Sequence, residues 1–454
     1  MSGRIEAPEK EGVEQFVTEY ERVKDQLAEQ SPAWLMERRR AGIAAFAQHG
    51  FPTIKDEAWR QTNIAPIKRT AYQMQAPAVS DDALARLREQ LILSPEESYR
   101  IVIVNGAYND DLSNIHANAQ SDHHSLLMTF DEALHSDAMP EALGSVASVE
   151  DNAFTALNTA LFSHGVLLRV SDGAALDRPV YIVYATVAEN GAAFAQHPRT
   201  LILAGQSSEF KVLEHFIGIG DGAYLTNHVT EVLGGENASL QHYKLQQESP
   251  AAFHVSAVRL KLADDNVTQN FSIALGSTLA RNEIVAELTG SGVDCTLNGL
   301  YLAQGTQHID HHTRIEHIAP HCHSTEVYKG ILDEQATAVF SGLIHVHPNA
   351  QKTDAVQSSK CVLLSDSAHV DSQPQLKIFA DDVKCTHGAA IGQLNEEAVF
   401  YLRSRGISEN DARGLLTYAF ANDIVERIKI EPLRLRLAEI VSRRFNATEY
   451  SELG

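Results

Sequence analysis

The chain has 454 residues, 44% hydrophobic and 21% charged, which is enough for a large core and for two or three structural regions. Lys and Arg total 37 against 59 Asp and Glu; the formal net charge of −22 repels phosphate backbones and anionic lipid, so neither nucleic acid nor a membrane is an expected partner. The N-terminus lacks an apolar signal core, no stretch nears the roughly 20 apolar residues of a bilayer span, and Cys295, Cys322, Cys361 and Cys385 form no C-x-x-C pair, so reduced thiols in a cytoplasmic protein are expected rather than a disulfide framework.

Residues 1–160 read as a mainly helical region. Val13, Phe16, Val17, Tyr20, Val23 and Leu27 recur at spacings of three and four, one apolar face among charges. Ser31-Pro32 reads as a stop and restart, Ser31 as N-cap and Pro32 at the first helical position, and the second helix runs past Trp34, Leu35 and Phe46 to Gly50. A short strand at 101–104 enters the turn dipeptide Asn105-Gly106, and 151–161 reads as a helix with an acid, Asp151, capping its start.

Residues 161–393 read as a strand-rich core. Short β-type runs fall at 166–170, 180–184, 200–203, 210–216, 238–245, 257–262, 267–273, 284–288, 297–302, 336–346 and 376–383. Many open on a turn-prone residue followed by Ala or Val, at Ala223, Ala238, Val267, Val293, Ala336 and Ala368, in steps that vary from 15 to 43 residues. That is no strict period, but it suits a parallel β-helix whose coils carry unequal loops. A β-sandwich is the competing arrangement, though a large one.

Residues 394–454 return to helical period. A helix over 394–405 stops at Gly406, and Ser408-Glu-Asn-Asp411 is a capping signature for a helix with Leu415, Leu416, Ala419, Phe420, Ile424 and Val425 on one face. Pro432 opens a last helix through Leu433, Leu435, Leu437 and Ile440, followed by a polar tail. Helices beside a solenoid serve either as caps that blunt its end or as docking elements.

No G-x-x-x-x-G-K-[ST] phosphate loop and no G-x-S-x-G elbow is present, and Gly218-Ile-Gly220-Asp-Gly222 sits between strands with the wrong spacing for a dinucleotide loop. Eight histidines crowd residues 308–347: His308, His311, His312, His317, His321, His323, His345 and His347. On a strand the i, i+2 pairs His321/His323 and His345/His347 would each point to one face and chelate one ion; the plainer reading pairs such histidines with acids such as Asp310 and Glu316. Cys385 and His387 form another i, i+2 pair, a soft and a borderline donor suited to iron, iron–sulfur species or zinc, with Lys384 placed to lower the thiol pKa; a quiet core strand is the alternative.

Several stretches together reach across nearly the whole chain: Phe51-Pro-Thr-Ile-Lys-Asp-Glu-Ala-Trp-Arg60-Gln-Thr62, Asn105-Gly106-x-Tyr108, Ala156-Leu-Asn158-Thr159-Ala160 with Gly165, Gln307-His308-Ile-Asp310, His317, Ser324-Thr-Glu-Val-Tyr-Lys329-Gly330, Pro374-Gln-Leu-Lys-Ile, Val383-Lys-Cys385-Thr-His387-Gly-Ala389, Tyr401-Leu-x-Ser-Arg405-Gly406 and Ala412-Arg413-x-Leu-Leu416. In this order they resemble the SufB/SufD family of the SUF iron–sulfur cluster assembly machinery, and within it the SufD branch. The resemblance implies a right-handed parallel β-helix between helical ends and a non-ATPase scaffold role in a SufB–SufC–SufD complex. It implies pairing with SufB through the β-helix ends, docking of the SufC ATPase on the C-terminal helices (Arg413, Leu416 and Phe420), and a homodimer as a compatible state of the isolated chain. A transient iron–sulfur cluster or iron would form at the SufB interface, where His387 and Cys385 fill the family's K-C-x-H-G motif. ATP would act only through SufC, with a reduced flavin a further component of some complexes. The other histidines of 308–347 beyond His308 and His317 are not required by the motif. A β-helix enzyme acting on acidic polysaccharide and a His-cluster metalloprotein are the competing functions.

Overall fold

The computed structural model describes residues 12–445 apart from 74–75, 116–124, 135–138, 140, 190 and 192; the polar tail and the extreme N-terminus lie outside these residues. Helices α1 (Val13–Gln30), α2 (Ala33–His49), α3 (Ala65–Arg69) and α4 (Asp81–Gln90) precede strands β1 (Tyr99–Val104), β2 (Ala107–Tyr108) and β3 (Ser125–Thr129), a single helical turn α5 (Phe130–Ala133), and helix α6 (Ala153–Leu161). Then come β4 (Gly165–Val170), β5 (Val180–Val187), β6 (Phe194–Gln196), β7 (Arg199–Ala204), β8 (Glu209–Ile219), β9 (Tyr224–Gly234), β10 (Ser239–Gln247), β11 (Phe253–Leu262) and β12 (Val267–Ala274). The series continues with β13 (Leu279–Leu288), β14 (Asp294–Ala303), β15 (His308–His317), β16 (His323–Leu332), β17 (Thr337–Val346), β18 (Asp354–Leu363), β19 (His369–Ile378) and β20 (Lys384–Gly392). Helices α7 (Glu396–Ser404), α8 (Glu409–Val425) and α9 (Glu431–Arg444) follow.

The strands form two sheets, one in the order β2-β1-β5-β8-β10-β12-β14-β16-β18-β20 and the other β19-β17-β15-β13-β11-β9-β7-β4-β3. Successive strands alternate between the sheets and pair in parallel with the strand one coil away, which makes a β-solenoid and removes the sandwich alternative. The register positions Glu209, Ser239, Val267, Asp294, His323, Asp354 and Lys384 step by 27 to 31 residues, a much tighter period than the Ala/Val frame suggested. That frame mixed strand starts from both sheets, and at one coil it slipped by a residue: Asn266, not Val267, fills the buried corner position equivalent to Ala238 and Val293, while Val267 is 42% exposed.

Local chemistry explains the flanking helices, with two corrections to the expected caps. Ser31 ends α1 and Pro32 itself is the N-cap of α2, its carbonyl accepting from Leu35 N and Met36 N at 3.0 and 3.2 Å, with no side-chain cap. Asn152 rather than Asp151 caps α6, its Oδ1 accepting from Thr155 N at 2.8 Å. Ser408 caps α8 as expected, its Oγ accepting from Asp411 N at 3.2 Å, and Gly406 at φ +90° turns the chain out of α7.

The solenoid interior is packed by clusters such as Val212, Leu240, Leu297, Tyr301, Tyr328 and Phe340. Tyr328 lies where a Cβ on Gly299 would sit, and Tyr301 does the same beside Gly330, so large and small residues interlock across coils. Outside, Phe16, Phe46, Trp59 and Phe154 of the N-terminal region cover one sheet at Leu225, Phe253 and Leu279. Ala421, Ile424, Val425, Leu433, Leu437 and Val441 of α8 and α9 cover the other sheet at Tyr243, Phe271, Leu300 and Ile331. Helices α8 and α9 therefore lie along a sheet face. The buried side of α8 matches the expected one only at its end: Ile424 and Val425 are buried, but earlier in the helix Ala412, Gly414, Thr417 and Ala421 are the buried residues, while Leu415, Leu416 and Phe420 are half-buried and Ala419 is exposed.

Candidate functional site

Cys385 and His387 stand on β20, the last strand of its sheet, in register with Ala355 and Gln357 of β18. Ala355 and Gln357 are buried and face the solenoid interior, so Cys385 and His387 continue that inward file at the open end, where among the described residues no further strand follows. His387 is exposed and Cys385 is half-buried against the small cluster of Ile344, Val346, Ala350, Ala355 and Ala380. Strand alternation gives the pair a shared face, as expected, and a Cβ on the adjoining Gly388 would have no neighbour within 4 Å.

The expected lowering of the thiol pKa by Lys384 is not what the structure gives. Burial pushes the Cys385 thiol up, and the nearby Asp354 carboxylate adds to the effect. Lys384, one residue away on the strand, alternates to the opposite face. At neutral pH Cys385 is therefore a protonated thiol, and His387 is the more accessible donor. Among the described residues no third His, Cys, Asp or Glu joins the pair within metal-ligating reach.

Behind His387 lies a polar file that the sequence reading gave no role. Gln357 donates through Nε2 to Glu326 Oε2 at 2.6 Å, and both side chains are buried inside the solenoid. Burial pushes the Glu326 carboxyl up to about 7. Glu326 belongs to the 324–330 signature, and period-two alternation marks it as inward, between Ser324 and Tyr328.

Other singled-out motifs meet as structural staples. Thr62 Oγ1 donates to Asp310 Oδ2 at 2.5 Å and lies 2.9 Å from His308 Nε2, while Arg281 pairs with Asp310 and stacks 3.8 Å from the Trp59 ring centroid. Burial would raise the Asp310 carboxyl, but Arg281 and His312 hold it far below the usual carboxylate range. Asn158 Nδ2 donates to Pro198 O and Asn227 O at 2.9 and 2.8 Å, and Arg199 reaches Asn158, Thr159 and Glu231, the last at 2.6 Å with both side chains fully buried. A Cβ on Gly165 would meet Arg199 O at 2.3 Å, so only glycine fits beside these staples.

The crowded histidines divide. His311 and His317 are buried neutral core residues, pushed down to about 3 and about 4 by burial. His312 lies 3.2 Å from Asp310, and His345 and His347 lie 2.7 and 2.6 Å from Glu316, as the acid-pairing reading expected. His321 sits in a turn at φ +61° rather than on a strand, so His321 and His323 do not act as a same-face strand pair.

Of the docking candidates, Arg413 is bound at 2.8 Å by Glu396 and at 3.6 Å by Glu409, and Leu416 is half-buried. Phe420 is turned toward the solenoid: Lys329 Nζ donates to its carbonyl at 2.9 Å and lies 4.5 Å from its ring centroid. Several large exposed apolar residues belong to the last coil and the helix after it, with Phe379 at 62%, Ile391 at 46%, Phe400 at 71% and Tyr401 at 58%, while Ile54, Leu126 and Leu435 are exposed elsewhere.

Comparison with known proteins draws these features together. A family model described as "SUF system FeS cluster assembly, SufBD core domain" matches residues 186–420, and one for the "SufBD protein N-terminal region" matches 10–182. The iron–sulfur cluster assembly protein SufD of Escherichia coli is 30% identical over 399 residues, covering 87% of this chain and 89% of its own. An iron–sulfur cluster assembly SufBD family protein of Synechocystis is 30% identical over 423 residues, covering 90% and 91%, and Bacillus subtilis SufD is 26% identical over 300 residues, covering 65% and 68%.

Proposed function

The chain belongs to the SufB/SufD family of the SUF iron–sulfur cluster assembly system, and from that membership we propose that it is a non-ATPase scaffold subunit of a SufB–SufC–SufD complex in the cytoplasm. The open end of the solenoid pairs with SufB, and the C-terminal helices dock the SufC ATPase. The nascent cluster is cargo of this assembly rather than a resident cofactor.

The single observation that carries the reading is the uncovered last coil. β19 and β20 close their sheets with edges that no described strand pairs. β19 is blunted by Pro374 and Lys377, whereas β20 runs Gly388-Ala-Ala-Ile391 with little bulk. An edge of this kind accepts a second strand, and it presents His387 at the seam.

His387 brings an imidazole to the interface and Cys385 a thiol that burial keeps protonated. Two donors are too few to hold a metal on this chain alone, so the remaining ligands come from the facing SufB subunit. A thiol at Cys385 becomes a strong ligand only when a bound cation offsets its burial. His387, already exposed, is the first contact for iron or for a ligand of the cluster, and Gln357 and Glu326 hold a polar environment behind it. Arg413 and Leu416, on the outer side of α8, face the SufC side. ATP turnover belongs to SufC, and a reduced flavin belongs to the complex.

The polysaccharide-acting alternative rested on strand texture alone, and the family models over both parts of the chain account for that texture. The test is reconstitution with SufB and SufC. His387→Ala is expected to abolish cluster assembly while co-purification of all three subunits persists. Undiminished assembly would remove His387 from the mechanism, and removal of residues 394–445 without loss of SufC would remove the helices from docking.

A further inference from the structure

The strongest donor cluster in the described residues lies away from His387, on the outer face of the other sheet. Glu316, the penultimate residue of β15, is in register with His345 of β17, and His347 extends that ladder through its backbone N–H to His317 O at 2.9 Å. Alternation puts Val346 inside, fully buried, and sends His345 and His347 outward beside Glu316. His345 Nδ1 lies 2.7 Å and His347 Nε2 2.6 Å from the same oxygen, Glu316 Oε2, with the two imidazole centroids 4.2 Å apart. The three donor atoms all fall within 4.8 Å of one another, and no other described trio of His, Cys, Asp and Glu meets that condition.

From this geometry we propose that Glu316, His345 and His347 form a solvent-facing binding site for one divalent first-row transition-metal ion.

The donor set is two imidazoles and one carboxylate, a borderline N2O face that suits zinc(II), cobalt(II) or iron(II) and disfavours the oxygen-seeking calcium and magnesium. Metal–ligand bonds of about 2.0–2.2 Å place neighbouring donors about 3–3.5 Å apart, so each nitrogen would move from its present hydrogen-bond distance to Oε2 by about 0.5–1 Å, within the reach of side-chain rotation at these partly exposed imidazoles. Arg314 Nε pairs with the other carboxylate oxygen, Oε1, which orients Glu316 and leaves Oε2 for the ion. Phe379, with its ring centroid 5.6 Å from His345 in an edge-on contact, holds that imidazole from the next turn. Burial would raise the Glu316 carboxyl, but the hydrogen bond from His347 and the charge of Arg314 bring it below its ordinary range, so the oxygen ligand is anionic at neutral pH. His345 and His347 keep side-chain exposures of 21% and 37%, which leaves the remaining coordination positions to water or to an incoming ligand.

The site does not depend on the assembly role, because it lies on a different sheet from His387 and uses none of the same residues. The full chain, stripped with chelator, is titrated with zinc(II) by calorimetry and with cobalt(II) by visible absorption, and anaerobically with iron(II). One equivalent is expected to bind, with the cobalt spectrum reporting nitrogen ligation. Glu316→Gln, and separately the pair His345→Ala with His347→Ala, are expected to weaken binding at least tenfold. The pair His321→Ala with His323→Ala is expected to leave it unchanged. Circular dichroism checks that each variant folds, and the single His347→Ala change, at a partly exposed side chain, keeps the test valid if the double variant does not. Absence of binding by the parent chain, or equal stoichiometry and affinity across the Glu316, His345 and His347 variants, would overturn the proposal and leave Glu316 as a hydrogen-bonding acid only.

Discussion

The two ends of the solenoid are built in opposite ways. At the N-terminal end the sheets finish on short strands, β2 and β3, added antiparallel to β1 and β4. Helix α6 then ties into the early coils through buried polar staples to Arg199 and Asn227, while the segment around Trp59 is held further along, at β13 and β15. At the C-terminal end the sheets stop on parallel strands whose outer edges are unpaired among the described residues, and α8 and α9 lie back along a face instead of covering them. The family motifs do different work: Thr62, Asn158 and Asp310 hold the fold together, and the Cys385–His387 motif leaves His387 uncovered. A shared family motif is therefore evidence of function only once its surroundings show whether its side chains are satisfied.

The comparison can be broken most forcefully at the closed end. Arg199→Ala removes the cation paired with Glu231, a fully buried carboxylate left with backbone N–H donors from Gly144, Val146 and Ala147, and is expected to destabilise the protein by about 3 kcal/mol. Denaturant unfolding monitored by circular dichroism checks this; a shift no larger than that of a surface change would mean the staple carries little. At the open end His387→Ala is expected to move stability by no more than about 0.5 kcal/mol, measured the same way.

Between the two lies Glu326. Its folded-state carboxyl sits near 7, above its unfolded value, so the native state binds the extra proton between those values and stability falls as pH rises from about 5 to about 8. Glu326→Gln is expected to flatten that slope; an unchanged slope in unfolding midpoints across this range would assign it elsewhere. Ser408→Ala, which removes the cap of α8, should cost about 1 kcal/mol. The smallest effect concerns Cys385. Its alkylation by iodoacetamide is expected to be slow at pH 7 and to accelerate only at a pH above that for an exposed thiol, since burial raises its pKa. Fast labelling at pH 7 would restore the activated thiol that the sequence suggested.

Much of the fold was legible because its local rules are strong. The helix through Phe16 and Tyr20, the stops at Gly50 and Gly406 and the cap at Ser408 all follow from side-chain chemistry within a few residues. Strands β15, β16 and β18 were not read as strands, because inward positions that should be apolar carry His311, Thr313, Glu326, Gln357 and Ser359. The same polar interior hid Glu326 and Gln357 behind His387. The motif positions of Cys385 and His387 were legible; the reversal of the thiol shift was not, because it depends on Asp354 and on packing from a coil about 30 residues away. The division of the eight histidines likewise depends on which neighbour each meets across the ladder.

Hydrogen–deuterium exchange on this chain alone and in complex with SufB tests the open-end account most directly. Protection is expected to appear at the amides of β20 (Lys384–Gly392) and at the adjoining 396–404 helix, with the closed end around β1 and β4 unchanged. Unaltered exchange in β20, with new protection at the N-terminal end instead, would contradict it.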